Sequence, residues 1–197
     1  MDNAKRRIGI FGGTFDPIHV GHLVAAVNAR AEARLDELLL VVSNSPWQKE
    51  GSRAITPAEM RFLLVEDAVR GVEGLRASDM EIQRGGSSYT IDTVIELTGS
   101  DPSIEVVLVV GADAAAGLST WHRYSELSKM VDLVVVNRPG AFVEPSSLAE
   151  WKVTFVEVPS LAVSSTEIRQ RSADGRPLDF LVSRHTIDFI AKHQLYR

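Results

Sequence analysis

The sequence predicts an α/β protein built on a doubly wound, mostly parallel sheet. Three observations predict it. Short apolar runs of strand length alternate with longer stretches of helical period along the chain. Two of the runs, Glu37 to Val42 and Ile104 to Val110, are almost continuously apolar, as strands covered on both faces are. The first run, Arg7 to Phe11, breaks at Gly12-Gly13 before a helical stretch, which is the opening of a βαβ unit.

Composition bounds the rest. At 197 residues the chain is expected to form one domain over 1–197, long enough for a full core. Its 45% apolar and 24% charged content are those of a soluble globular protein. No apolar run reaches the roughly 18 residues of a membrane span, and the start lacks a signal-peptide core, so no membrane partner is expected. The absence of cysteine excludes disulfides, thiolate metal sites and a cysteine nucleophile, and fits a cytoplasmic protein. A net charge of −5 argues against nonspecific nucleic-acid binding but allows a local basic pocket.

Taken in order, the first helix is expected from about His19 to Arg34, with Leu23, Ala26, Val27, Ala31 and Leu35 as its buried stripe. After strand Glu37–Val42 comes a polar loop, 43–55, holding Pro46-Trp47-Gln48-Lys49. Thr56-Pro57-Ala58-Glu59 reads as an N-cap, a first-position proline and a capping-box glutamate, opening a helix to about Arg70. Leu75 to Gln83 holds a strand, 84–88 a glycine turn, and Tyr89 to Leu97 a helix. The buried strand at 104–110 ends at Gly111-Ala112-Asp113. Helices follow at about 114–118 and 121–130, then strand Asp132–Asn137, a turn at Arg138-Pro139-Gly140 and an irregular stretch to 150. A last strand, 153–158, precedes helices opening at Ser164 and Ser183.

With βαβ connections right-handed, strand one should lie beside strand four, at the switch point where such sheets bind ligands. The turns Gly12–Asp16 and Gly111–Asp113 would then line one crevice. The dinucleotide and P-loop glycine fingerprints are both absent, which leaves a Rossmann-like nucleotide fold of another kind.

Several residues fit chemistry there. Gly12-Gly13 allows an anion close to the backbone, and His19 and His22, three apart, would share one face in the first turn of a helix whose N-terminus favours phosphate. A zinc site would need a third ligand that nothing indicates, and ordinary surface histidines are the plain alternative. Ser164-Ser165-Thr166-Glu167-Ile168-Arg169 reads equally as a capping box or as hydroxyls, amides and a guanidinium for phosphate. Asp113 fits either an N-cap or a ribose-binding carboxylate. Trp121 fits either the core or a stacking platform, and Tyr89 and Thr90 either a helix start or a site.

The string Gly12-Gly13-Thr14-Phe15-Asp16-Pro17-Ile18-His19-Val20-Gly21-His22 resembles the HxGH signature of the nucleotidylyltransferase superfamily, and 164–169 resembles its SSTxIR motif. Within it, Ser88-Tyr89-Thr90-Ile91-Asp92-Thr93, Gly111-Ala112-Asp113, Ser119-Thr120-Trp121 and Leu195-Tyr196 resemble the bacterial nicotinate-nucleotide adenylyltransferases. The resemblance implies a nucleotidylyltransferase fold and transfer of AMP from ATP to nicotinate mononucleotide, giving deamido-NAD and pyrophosphate, with Mg2+ as divalent cation. It implies His19, His22 and Arg169 as catalytic groups. It implies Gly12, Gly13, Thr14, Phe15, Lys49, Gly111, Asp113, Ser164 and Ser165 around ATP, and Tyr89, Thr90, Trp121 and His122 around the mononucleotide. One departure stands out: the family's Pro-Pro-His-Lys is Pro46-Trp47-Gln48-Lys49 here, so a titratable imidazole is replaced by a neutral amide. Rival readings are a sister enzyme using another phosphomonoester, and a nucleotide-sensing module without turnover.

Overall fold

The computed structural model describes residues 5–46, 54–137, 145–159 and 161–197. Lys49, Trp47 and Gln48, and the turn expected at 138–140, lie outside the described residues.

Among the described residues six strands form one parallel sheet: β1 (Arg6–Gly13), β2 (Glu37–Val42), β3 (Leu75–Ser78), β4 (Ile104–Gly111), β5 (Asp132–Asn137) and β6 (Val153–Glu157). Their order is β3-β2-β1-β4-β5-β6. Ile10 pairs with Leu39 on one side and Leu108 on the other, so β1 is central. The chain winds outward from β1 to β3, then returns beside β1 to wind the other way. The resulting switch point lies at the carboxyl ends of β1 and β4, which brings Gly12 and Gly111 to the same edge.

Successive strand residues face opposite sides, so each apolar strand feeds two cores. Ile8, Ile10, Val106, Leu108 and Leu133 pack with Ile91 and Val94 of α4 (Thr90–Ser100) and Leu127 of α6 (Tyr124–Met130). Leu38, Leu40, Val107 and Val134 pack with Ala26 and Ala29 of α1 (Val20–Glu32) and Leu64 and Val65 of α2 (Ala58–Val69). The remaining helices are α3 (Met80–Arg84), α5 (Ala112–Ala115), α7 (Ser165–Ala173) and α8 (Arg184–His193). Ile168, Leu178, Val182 and Ile190 make a third, smaller core near the C-terminus.

Four local expectations change. The buried side of α1 carries Ala26 and Ala29, with Ala33 just beyond, whereas Ala31 is exposed and Val27 is 41% exposed. Small side chains let this helix lie close on the sheet. Thr56 does not cap α2: Pro57 takes the N-cap position, and the Thr56 hydroxyl goes to Tyr196 instead. The segment 75–83 splits into β3 and α3, with Asp79 as the N-cap between them. The helix expected from 121 starts at Tyr124, because Arg123 adopts a left-handed conformation (φ 53°) that interrupts it.

Candidate active site

A cavity of about 720 Å³ opens at the switch point. Gly12, Gly13, Thr14, Phe15 and His22 line it from the β1 side, and Gly111 and Asp113 from the β4 side. Tyr89, Thr90, Trp121 and His122 complete the predicted lining. A Cβ on Gly12 or Gly111 would meet no atom within 4 Å, so both backbones present open space to a ligand. Gly13 differs. A Cβ there would stand 2.7 Å from the ring of Phe15, which is 2% exposed and held at φ 48°. Gly13→Ala is expected to destabilise the fold by about 1–3 kcal/mol, read from a shifted urea midpoint at unchanged slope.

The two histidines divide. His19 is the N-cap of α1, with extended backbone (φ −149°, ψ 169°), so its side chain does not share the helical face with His22. Its backbone N–H donates to His22 Nδ1 at 3.3 Å, and the rings stack with centroids 3.8 Å apart. A Cβ on Gly21 would lie 3.1 Å from the His19 ring, so the glycine between them makes room for it. His22 lines the main cavity, packed edge-on to Phe15 at 5.1 Å. His19, 3% exposed, lines instead a smaller cavity with Ile18, Leu23 and Phe180. The expectation that both imidazoles aim at one place is corrected accordingly. Because His22 Nδ1 accepts, a neutral His22 carries its proton on Nε2.

Ser164, Ser165 and Arg169 do not line the cavity. The Ser164 side chain accepts from the Glu167 N–H at 3.1 Å, which is the capping reading. Ser165 Oγ donates to Pro17 O at 2.9 Å, and Arg169 Nη1 to Asp16 O at 2.7 Å. The C-terminus joins them: Tyr196 OH donates to Asp16 Oδ1 at 2.7 Å and accepts from Thr56 at 3.2 Å. In this structure the SSTxIR segment braces the turn that carries His19 and His22.

Burial, and after it the Asp16 carboxylate, push the Tyr196 hydroxyl well above its ordinary value of 10.0. The sign follows from linkage. Unfolded tyrosine ionises near pH 10 while the folded group stays neutral, so this contribution is full below that pH and declines as pH rises beyond it. The stability difference between wild type and Tyr196→Phe is therefore expected to be constant from pH 7 to 9 and to shrink above 10. Urea unfolding across that range checks it.

Trp121 meets both the core and the cavity. It keeps a buried indole Nε1–H with no hydrogen-bond partner among the described residues. Tyr89 caps α4 and stacks on His122 with centroids 4.3 Å apart. Asp113 is exposed inside the first turn of α5, whose N-cap is Gly111, so the N-cap reading falls. Two lining or supporting groups had no signal in the sequence. Glu81, 6% exposed, reaches the cavity from α3 and accepts from Thr93 Oγ1 at 2.9 Å, with Arg84 3.9 Å away. Arg61, 1% exposed, lies fully buried beside the Gly12–Phe15 turn and donates to Thr14 O.

Comparison with known proteins places this arrangement. A family model described as cytidylyltransferase-like matches residues 10–171. A probable nicotinate-nucleotide adenylyltransferase of Corynebacterium kroppenstedtii is 43% identical over 192 residues, covering 96% of this chain and 90% of that one. Another, of Leifsonia xyli subsp. xyli, is 41% identical over 196 residues, covering 100% and 96%. A solved Plasmodium falciparum nicotinic acid mononucleotide adenylyltransferase complexed with NaAD shares the fold, with a TM-score of 0.78, 19% identity and 97% of each chain covered. With the HxGH turn at the switch point and relatives of this identity aligned along nearly its whole length, the chain belongs to the cytidylyltransferase-like family and, within it, to the bacterial nicotinate-nucleotide adenylyltransferases.

Proposed function

We propose that this chain transfers the adenylyl group of ATP to nicotinate mononucleotide, giving deamido-NAD and pyrophosphate, in the cytoplasm. One observation carries the reading: a single cavity holds the bare Gly12-Gly13 backbone, the His22 imidazole and an aromatic platform at Trp121. A phosphate oxygen of the mononucleotide attacks the α-phosphorus of ATP in line, a new P–O bond forms, and the bond to the bridging oxygen breaks with its electrons leaving on pyrophosphate. A phosphate is already a nucleophile, so catalysis needs alignment and donors rather than a base or covalent intermediate.

In this reading His22 Nε2–H donates to the transferring phosphoryl group, and the amides of the Gly12–Phe15 turn cradle ATP. Asp113 beside Gly111 accepts from ribose hydroxyls. His19 acts through the stack on His22, and Arg169 and Ser165 through the turn they brace. Ser164 caps the bracing helix, and Lys49 is an added phosphate cation. Thr90, the Trp121 indole and the His122 backbone hold the pyridine, with Tyr89 packed on the His122 ring.

Among the described residues no group of three His, Cys, Asp or Glu could hold a metal ion. A divalent cation bound with ATP would neutralise charge on the leaving pyrophosphate.

Pyrophosphate release on mixing ATP with single phosphomonoesters tests the reading. Release with nicotinate mononucleotide, and none with phosphopantetheine or glycerol phosphate, is expected. Turnover with either of the latter would move the chain to a sister branch, and nucleotide binding without any release would make it a sensing module.

A further inference from the structure

We propose that Arg61 is a positioning residue for adenylyl transfer, setting the phosphate-facing turn against the segment that follows β2; the inference rests on the functional reading above. Arg61 is the fourth residue of α2 and, among the described residues, the largest fully buried side chain. Burying a guanidinium is costly unless its donors find oxygen partners. Here Nε donates to Thr56 O at 2.7 Å and Nη1 to Thr14 O at 2.7 Å. Nη2 donates to Ser43 O at 2.7 Å and to Asn44 O at 3.2 Å. Three chain segments thus converge on one planar, rigid fork, a geometry that a lysine ammonium does not reproduce.

Two of those segments form the cavity wall, since Thr14 and Ser43 both line it. A trans peptide points its N–H opposite to its C=O. Holding Ser43 O leaves the Asn44 N–H to donate to Ser88 Oγ at 2.8 Å, and Ser88 also lines the cavity. By the same geometry, holding Thr14 O turns the Phe15 amide away from Arg61. Phe15 lies in the cavity lining, among the amides assigned above to the ATP phosphates. The guanidinium therefore orients donors that it does not itself supply. The pyridine-binding residues Thr90 and Trp121 take no hydrogen bond from it among the described residues.

Arg61→Lys keeps the charge and loses the fork; Arg61→Met loses both. A misplacement of about 1 Å can cost about a hundredfold in rate. The lysine variant is expected to lower kcat by about ten- to a hundredfold and to raise the KM for ATP about tenfold, with the KM for nicotinate mononucleotide within about twofold of wild type. Arg61→Met is expected to lose at least as much. Wild-type kcat and ATP KM in the lysine variant would overturn the proposal. So would an equal rise in both KM values, or failure of both variants to reach wild-type helix content by circular dichroism, since each marks a merely structural role. If the wild-type chain releases no pyrophosphate, the functional reading alone falls. Arg61 is then judged by titration with a non-hydrolysable ATP analogue, where about tenfold weaker binding in Arg61→Lys supports the proposal and unchanged binding overturns it.

Discussion

Replacing His22 by alanine is expected to lower kcat by roughly 10²–10³ while leaving the KM for nicotinate mononucleotide close to wild type. The ring lines the cavity together with the Gly12–Phe15 turn. Its Nδ1 is occupied by the His19 amide, which settles the neutral tautomer and leaves Nε2–H as the donor. A donor aimed at charge that develops only in the transition state acts on kcat rather than on ground-state binding. The neighbouring rings of Phe15, Phe11 and His19 fix its direction, so little reorganisation accompanies the reaction. His22→Gln tests whether donation or ring shape matters, and partial recovery relative to alanine is expected. Turnover near wild type in a folded His22→Ala enzyme would remove this residue from the mechanism.

The second large effect is substrate choice: nicotinate mononucleotide is expected to exceed the nicotinamide form by about ten- to a hundredfold in kcat/KM. The two differ by a carboxylate against a neutral carboxamide, so the pocket must read donors or charge. Thr90, the amides beside Trp121 and the buried indole Nε1–H, unpartnered among the described residues, are donors, and an amide NH₂ would face them with donors of its own. Hydrogen bonds to a charged group contribute about 1.5–3 kcal/mol, which corresponds to that preference. Glu81 in the same lining pulls the other way. Its carboxylate, however, is engaged by the Thr93 hydroxyl and faces Arg84 at 3.9 Å, which offsets its charge. The donors therefore decide the sign. Measuring kcat/KM for both mononucleotides at fixed ATP and magnesium checks it, and a ratio near one, or favouring the amide, would sink the donor argument. Glu81→Gln, which removes the opposing charge, is expected to widen the preference.

Much of the architecture was legible in one dimension because the signals that carry it are local. Glu37–Val42 and Asp132–Asn137 stand where their apolar runs predict, since a strand covered on both faces has no polar alternation to blur its ends. Alternation of such runs with helices, together with right-handed crossovers, was enough to put β1 beside β4 and so to bring Gly12 and Gly111 to one cavity. Gly12–Phe15 and Gly111–Asp113 were legible for the same reason: they sit at or just past the ends of strands whose order is decided.

What only the tertiary structure decided is where long side chains end, because their direction depends on backbone geometry and on neighbours remote in sequence. Spacing put His19 and His22 on one helical face, but His19 is an extended N-cap and its ring lies behind that of His22. The sequence read 164–169 equally as a capped helix or as groups for phosphate, and only the fold shows that the Arg169 guanidinium reaches the Asp16 carbonyl across 153 positions of chain. Nothing in the sequence set Arg61 and Glu81 apart, yet both are buried. Tyr196, 180 positions from Asp16, meets it through a hydroxyl that nothing local could announce. Period and turn chemistry act over a few residues and can be read along a line; a buried polar group answers to whichever oxygen or nitrogen the fold brings within about 3 Å, and that is settled only when the chain closes on itself.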